Sequence, residues 1–177
     1  MSRFASYEGK RVVITGCFSG MGEATARLLL EQGAEVHGID YQLSKLPLAS
    51  FTQADLRDPT AIDKAVIGLP EKIDTLFNCA GVPSTFSPVD IFKVNYIGPR
   101  RLTDKLMPRF SPGGAIACIA STAAFNWQGD INKIKPLVEC ENYNDAVAWA
   151  EAQSSGIDAY TCSKSAVILW TLKSAYA

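Results

Sequence analysis

The chain has 177 residues, of which 47% are hydrophobic and 20% charged, and this suits one globular domain with a sizeable core. Its 17 basic and 18 acidic residues give a formal net charge of −1, so no strong field favours nucleic acid or an anionic membrane surface. The sequence contains no apolar run of the roughly 20 residues needed to span a bilayer, and its first residues are polar without a secretory signal. We therefore expect a cytoplasmic protein without nucleic-acid or membrane partners.

Cysteine and histidine usage narrows the chemistry further. The five cysteines are scattered, and none forms a C-x-x-C pair (Cys17, Cys79, Cys118, Cys140 and Cys162). This pattern indicates reduced thiols rather than a disulfide framework or a zinc site. His37 is the single histidine. We expect no metal centre and no Ser-His-Asp triad.

Short apolar runs alternate with helical patterns along the first 120 residues. The β-branched run Arg11–Thr15 ends at a glycine-rich turn, and the apolar spacing from Met21 predicts a helix that stops at Gly33. Further strands are predicted at 35–39, 51–54, 73–77 and 114–120, and further helices at 58–69 and 89–107, the latter kinked at Pro99. This alternation predicts an α/β fold, a Rossmann-type doubly wound parallel sheet in a single domain over 1–177.

Residues 125–159 interrupt this rhythm as a long insertion. They contain a helix-compatible piece at 144–153 and four aromatic residues (Phe125, Trp127, Tyr143 and Trp149). A long excursion of this kind is usually functional, so the aromatic residues either line a substrate site or simply belong to the core.

The end of the chain also departs from a complete doubly wound sheet. A last helix is predicted over 159–176, but only five strands are predicted where such a sheet has six. We expect C-terminal strands to be absent from this chain. The fifth strand would then be an edge, and Val167, Leu169 and Trp170 would line exposed apolar surface.

A nucleotide site is predicted at the glycine-rich turn. Gly16, Gly20 and Gly22 allow backbone N–H groups and a helix N-terminus to face a pyrophosphate, although a tight turn without a ligand would look the same. Asp40 follows the second strand about 20 residues later, where a carboxylate can accept hydrogen bonds from ribose hydroxyls. The alternative for Asp40 is a solvated turn residue. A carboxylate there repels a 2′-phosphate, and residues 17–19 offer no cation, so NAD is favoured over NADP.

Three further side chains suit proton transfer. Tyr160 and Lys164 are four residues apart on a predicted helix, which places them on one face, and the ammonium favours the phenolate. A chance surface pair is the alternative. Ser121, after the fifth strand, can orient a substrate oxygen or serve as a helix-cap or turn serine.

Together these residues resemble the ordered motifs of the short-chain dehydrogenase/reductase family. The resemblance rests on 15–22 (TGCFSGMG), 78–81 (NCAG), Asn95, Ser121 and the Tyr160–Lys164 pair, and it covers nearly the whole chain. The segments 51–56 and 69–74 and the insertion are most similar to the branch of bacterial coniferyl-alcohol and 3α-hydroxysteroid dehydrogenases/carbonyl reductases. Cys79 departs from the family, which has a second asparagine there.

The resemblance implies a role for each matching position. Tyr160 would be the general acid/base, Lys164 would bind the nicotinamide ribose, Ser121 would orient the substrate oxygen, and Asn95 would hold a water in a proton relay. The implied cofactor contacts are Gly16, Ser19, Gly20, Met21, Gly22, Asp40, Asp55, Leu56, Asn78, Ala80, Gly81, Tyr160 and Lys164.

The implied function is an NAD-dependent oxidoreductase that interconverts an alcohol and a carbonyl by hydride transfer. An aryl-allylic alcohol such as coniferyl alcohol is the favoured small-molecule substrate, with a hydroxysteroid or another carbonyl compound as the alternative. A nucleotide-binding fragment without catalysis is the alternative of a different class. We expect a homo-oligomer whose size the sequence does not define.

Overall fold

A computed structural model describes residues 6–153 and 155–175. Its strands are β1 (Arg11–Thr15), β2 (Glu35–Asp40), β3 (Ser50–Gln53), β4 (Ile73–Asn78) and β5 (Phe110–Cys118). Its α-helices are α1 (Gly20–Glu31), α2 (Pro59–Ile67), α3 (Pro88–Phe92), α4 (Gly98–Leu106), α5 (Ile131–Glu139), α6 (Tyr143–Gln153) and α7 (Ala159–Ala175). Among these helices, none is both long and apolar enough to cross a membrane.

The five strands form one sheet in the order β3-β2-β1-β4-β5. β1 lies parallel to both β2 and β4, and Val13 is opposite His37 on one side and Leu76 on the other. Since β1 is central, its run Val12–Ile14 is fully buried, as expected for a parallel sheet covered on both faces. The strand order reverses direction between β1 and β4, which is where doubly wound sheets bind their ligands. The predicted Rossmann-type fold is confirmed.

The described residues divide into two compact units. Residues 6–55, 60–80 and 102–117 form the first unit, and residues 56–59, 81–101, 118–153 and 155–175 form the second unit.

The first unit contains nearly all of the sheet and the helices α1 and α2. Its core includes Val12, Ile14, Cys17, Ala26, Leu29, Ala34 and Val36. Gly33 ends α1 as predicted, with a φ of 79° that an L side chain rarely adopts. The Arg109 guanidinium donates to the carbonyls of Val66 (2.8 Å) and Leu69 (3.0 Å), which satisfies the carboxyl end of α2.

The second unit is largely helical, and aromatic contacts organise its core. The rings of Phe92 and Trp149 meet edge to face at 5.5 Å, and those of Tyr96 and Trp170 do so at 6.2 Å. The Arg100 guanidinium donates to the carbonyl of Cys140 (2.9 Å), just beyond the end of α5. These contacts fix the insertion within the second unit.

Several element predictions were wrong in detail. β5 was expected at 114–120 after a turn at 111–113 but instead runs from Phe110 to Cys118, because an edge strand tolerates proline and glycine. The helix expected over 89–107 is divided by a π-helical segment, Lys93–Ile97, immediately before Pro99. α5 was not predicted, since Pro136 reads as a helix breaker.

The expected exposure on the last helix was also wrong. Val167 and Trp170 are buried, with Trp170 packed on Tyr96, and only Leu169 of the three is partly exposed. The position of β5 at the edge of the sheet agrees with the prediction. The predicted end of the last helix at Tyr176 lies outside the described residues.

Candidate active site

In the glycine turn of the first unit, backbone segments approach so closely that a side chain would not fit at two of the glycines. A Cβ on Gly22 would overlap the carbonyl oxygen of Gly16, and a Cβ on Gly16 would lie 2.7 Å from the Cα of Ala80. Gly16 also has a φ of 75°, and its N–H donates to the carbonyl of Ile39 at 2.9 Å. The turn is therefore a rigid backbone structure joining β1, β2 and β4.

Gly20 differs from its neighbours because it faces open space. It has a φ of 60°, and a Cβ built on it would meet no heavy atom of the described residues within 4 Å. Ser19 is the N-cap of α1, yet its side chain makes no capping hydrogen bond. Met21 is exposed on the first turn of the helix. The Ser19 side chain thus leaves the first-turn N–H groups of α1 uncapped. An anion site at a helix N-terminus needs such uncapped N–H groups.

Asp40 is held in a fixed orientation at the end of β2. It is 9% exposed, and its two carboxylate oxygens accept hydrogen bonds from the N–H groups of Phe18 and Gln42, each at 2.9 Å. A carboxylate has about four acceptor positions, so these two bonds leave room for a pair of hydroxyl donors. Burial, followed by the nearby charge of Asp40, raises the pKa of the Cys17 thiol to about 11, which keeps this neighbour neutral.

The remaining predicted cofactor residues of the first unit lie at the ends of β3 and β4. The Asn78 amide donates to the Thr103 hydroxyl at 3.0 Å, which ties β4 to α4. The Ala80 N–H donates to the Thr15 hydroxyl at 3.1 Å, which ties the end of β4 to β1. Asp55 is half-buried beyond β3. Asn78 and Ala80 thus lie at the carboxyl ends of the strands, where the glycine turn also lies.

In the second unit, Lys164 is almost fully buried. It is 5% exposed, and its ammonium donates to the carbonyl of Ile119 at 2.8 Å, two residues before Ser121. Burying an ammonium group is costly unless it is well partnered, which makes such a lysine a candidate functional residue. Leu56 is buried in the same unit.

The Asn95 side chain is held by the backbone N–H and carbonyl of Val82 and by a side chain of α7. Its Oδ1 accepts from the N–H of Val82 at 2.7 Å, and its amide donates to the carbonyl of Val82 at 3.1 Å and to Ser163 Oγ at 3.3 Å. Ser163 Oγ donates in turn to the carbonyl of Tyr160 at 2.8 Å. This buried network fixes the Asn95 amide relative to the first turn of α7.

Asp158 begins α7 and orients the turn that carries Tyr160. Its carboxylate accepts from the N–H groups of Tyr160 (3.1 Å) and Thr161 (3.2 Å) and from the Thr161 hydroxyl (2.7 Å). The hydroxyl bond, with the two amide bonds, holds the pKa of Asp158 below its ordinary value. Tyr160 is half-buried, and no other described residue hydrogen-bonds to its hydroxyl.

Ser121 lies just beyond β5 and caps a short 3-10 turn, Thr122–Ala124. Its Oγ accepts from the N–H of Ala123 at 3.2 Å. The turn-serine alternative is therefore realised, and it leaves the hydroxyl proton of Ser121 available as a donor.

Sequence reasoning missed four contributors to the second unit's site: Val82, Ile119, Asp158 and Ser163. Asp158 could have been found, since an aspartate before an apolar helix is a common N-cap. The Val82 and Ile119 groups belong to the backbone, which the side-chain sequence does not reveal. Ser163 lies inside the Tyr160–Lys164 spacing but carries no signal of its partner, Asn95, 68 residues away.

Comparisons with known proteins identify the family. The pattern of the short chain dehydrogenase family matches residues 10–131. The chain is 39% identical to a coniferyl-alcohol dehydrogenase from a Pseudomonas species over 163 residues, which cover 92% of this chain and 64% of that protein. It is 30% identical to a 3-alpha-hydroxysteroid dehydrogenase/carbonyl reductase from Comamonas testosteroni over 171 residues, 94% of this chain and 66% of that protein.

A solved structure has a similar fold. The crystal structure of a 3-alpha-hydroxysteroid dehydrogenase from a Pseudomonas species, complexed with NADH, superposes with a TM-score of 0.71 at 30% identity, covering 93% of this chain and 68% of that one. The chain spans about two thirds of the length of these two curated relatives. With the match over residues 10–131 and the shared fold, the chain belongs to the short-chain dehydrogenase/reductase family.

Proposed function

We propose that this chain carries the cofactor and acid–base machinery of an NAD-dependent oxidoreductase that interconverts an alcohol and a carbonyl. The observation that carries the proposal is the buried Lys164 ammonium, one helical turn from Tyr160 and fixed on the carbonyl of Ile119. The relatives named as alcohol and hydroxysteroid dehydrogenases support the reaction class.

The residues of the first unit fit the adenosine and pyrophosphate parts of NAD. The glycine turn and the first-turn amides of α1 would hold the pyrophosphate, and the fixed Asp40 carboxylate would accept from the ribose hydroxyls. Asp55 of this unit would flank the adenine. Asp40 would repel a 2′-phosphate, and the neutral Cys17 supplies no compensating cation, so NAD is favoured over NADP.

The residues of the second unit fit the proton half of the reaction. When bound, NAD accepts the hydride that leaves the alcohol carbon. Tyr160 Oη takes the alcohol proton as the carbonyl forms, and Lys164 lies one helical turn further along α7. The hydroxyl of Ser121 donates a hydrogen bond to the substrate oxygen and keeps its proton. Asn95, locked by Val82 and Ser163, belongs to the path by which the proton leaves.

Two of the four aromatic residues of the insertion serve the core, and Phe125 is the most exposed of the four. The hydroxyl of Tyr143 donates to the carbonyl of Arg57 at 2.6 Å, and Trp149 packs on Phe92, so these two serve the core. Phe125 is 90% exposed and lies four residues beyond Ser121. Its free ring supports an aryl-allylic alcohol as substrate, in line with the relative named as a coniferyl-alcohol dehydrogenase.

The test is NADH formation, followed by absorbance, across a panel of cinnamyl-type alcohols and hydroxysteroids. We expect cinnamyl-type alcohols to be oxidised with the higher kcat/KM. Phe125→Ala should raise the KM for them roughly 2- to 10-fold, the worth of one aromatic contact. Phe86→Ala is the matched control, because Phe86 is an exposed phenylalanine of the same unit.

Two results would refute parts of this proposal. A preference for hydroxysteroids, with no effect of Phe125→Ala, would exclude the aryl-allylic assignment. NAD binding without oxidation of any alcohol in the panel would leave nucleotide binding as the only function of this chain.

A further inference from the structure

The helix α5 of the insertion has few local features that stabilise it. It has nine residues with Pro136 inside, and its N-cap, Asp130, makes no side-chain capping hydrogen bond. The proline removes one N–H donor, and isolated helices of this length are unstable in water. Ile134, Leu137 and Val138 of α5 are buried. The position of α5 therefore depends on its tertiary contacts.

Arg100 of α4 holds the carboxyl end of α5. Its guanidinium donates to the carbonyl of Val138 at 3.1 Å and to that of Cys140 at 2.9 Å. It also donates to the Tyr96 hydroxyl at 3.3 Å. A cation at a helix carboxyl end is favourable, and the last turn of α5 contains no basic residue. Arg100 thus supplies from another helix the cation that this turn lacks.

The start of α5 lies near the first turns of α7. The two helices pack against each other within the second unit. Cys162, two residues beyond Tyr160, is only 4% exposed. Burial, followed by the charges of Asp130 and Asp158, raises the pKa of the Cys162 thiol. The electrostatic effect of Asp130 agrees with a position of Cys162 close to the start of α5.

Two of the residues between Tyr160 and Lys164 connect this turn of α7 to other elements of the second unit. Ser163 accepts from the Asn95 amide at 3.3 Å, whereas Cys162 is buried near α5. A catalytic group that is displaced by about 1 Å can lose on the order of 100-fold in rate. A shift of α5 would therefore disturb the turn that carries Tyr160 and slow the reaction.

We propose that α5 supports the turn of α7 that carries Tyr160, and that Arg100 is a positioning residue for the proton transfer because it holds α5 in place. The inference rests on the proposed oxidoreductase function. It gives the insertion a role in placing the general acid/base, separate from any contact of its aromatic residues with substrate.

The kinetic test compares Arg100→Met with Arg109→Met, each assayed where urea unfolding shows it to be folded. Arg109 is the matched control, because its guanidinium also holds the carboxyl end of a helix, α2 of the first unit. We expect Arg100→Met to lower kcat for alcohol oxidation about 10-fold, with the KM for the alcohol and the Kd for NAD within about 3-fold. Arg109→Met should keep kcat near the wild-type value.

Arg100→Lys tests the same contact with a milder change. A lysine ammonium can donate to a carbonyl but lacks the fork of donors that a guanidinium presents. The kcat of Arg100→Lys should therefore lie between those of the wild type and Arg100→Met.

Cysteine labelling provides a readout that does not depend on activity. The native proteins are treated with iodoacetamide for increasing times, and peptide mass spectrometry follows each cysteine. Loosening of α5 in Arg100→Met should raise the labelling rate of Cys162 about 10-fold. Cys17, which is fully buried in the first unit, should react as in the wild type. Arg109→Met should leave the labelling rate of Cys162 unchanged.

Two results would overturn the proposal. One is a labelling rate of Cys162 in Arg100→Met equal to that in the wild type, and the other is a kcat for Arg100→Met equal to that of Arg109→Met. Faster labelling of Cys162 in Arg100→Met, in a protein whose wild type oxidises no alcohol, would instead refute the proposed function and support α5 as the element that holds this turn.

Discussion

The first unit builds its candidate site from backbone, whereas the second unit builds it from side chains. In the first unit, Gly16 and Gly22 allow chain segments to touch, and a single carboxylate, Asp40, is fixed by two backbone amides. In the second unit, the polar groups of the site are the buried side chains of Asn95, Ser163 and Lys164; Asn95 donates to Ser163, and Lys164 donates to the backbone carbonyl of Ile119. The two constructions respond differently to substitution, because backbone cannot move aside as a flexible side chain can.

This difference matches the roles proposed for the two sites. A diphosphate is recognised by N–H groups whose positions depend on the turn, and almost any side chain would only obstruct them. A proton carrier needs a titratable group in a controlled environment, and only side chains supply one. The comparison leads to predictions that distinguish a loss of folding stability from a loss of cofactor binding or turnover.

The largest effect is expected for Gly22→Ala in the first unit. The added methyl overlaps the carbonyl of Gly16, so α1 must move away from the turn. Overpacking of this kind costs about 3 kcal/mol of unfolding free energy, and NAD binding should be lost with it. Urea unfolding and fluorescence titration with NAD measure both. A Gly22→Ala variant as stable as Gly68→Ala, whose added methyl would meet only ordinary contacts of 3.7 Å, would contradict the backbone account of this site.

A smaller effect is expected for Asp40→Asn. The variant removes the charge that accepts from ribose hydroxyls, so the Kd for NAD should rise on the order of 10- to 100-fold, while discrimination against NADP should weaken. Titrations with both cofactors at matched salt measure this, and Asp63→Asn is the control, since Asp63 lies in a surface ion pair with Lys105. Tighter binding of NADP than NAD by the wild-type protein would show the assignment to be wrong.

The smallest effect is expected for Asp158→Ala at the start of α7. Loss of this cap should cost about 1 kcal/mol at pH 7. Because the folded-state pKa of Asp158 lies below its ordinary 3.8, the stabilisation by its charge is present above that pH and is lost as pH falls through the folded-state pKa.

The measurement is urea unfolding of wild type and Asp158→Ala between pH 7 and about pH 3, in which the difference should shrink. Ser87→Ala is the control, because Ser87 caps α3 by accepting from the N–H of Asp90 and does not titrate. A difference for Asp158→Ala that stays constant with pH would contradict a stabilising charge at this cap.

The two units also differ in how far their structure could be predicted from sequence. β1, α1 and β2 were predicted within a residue or two, because a β-branched run, an apolar helical spacing and Gly33 each carry a local signal. Asp40 was predictable as well, since its position after the second strand is a matter of spacing. In the first unit, the site therefore follows from patterns within a few residues.

The second unit depends on contacts that local patterns do not contain. α5 forms despite Pro136 because Ile134, Leu137 and Val138 become buried, which is a tertiary effect that outweighs propensity. The π-helical segment Lys93–Ile97 carries Asn95, and its partner Ser163 is remote in sequence. Tyr160, Lys164 and Ser121 were singled out by helical spacing and position after a strand, and Asn95 only by the family motif, and their roles in the reaction remain predictions.

The most direct test of the central claim is turnover by Tyr160→Phe. This variant removes one hydroxyl from the second unit, and Tyr143→Phe is the control because it removes another hydroxyl from the same unit, one bound to the carbonyl of Arg57. We predict that Tyr160→Phe lowers kcat for alcohol oxidation about 1,000-fold or more while the Kd for NAD stays within about 3-fold, and that Tyr143→Phe retains turnover. Near-normal turnover by Tyr160→Phe would contradict the account.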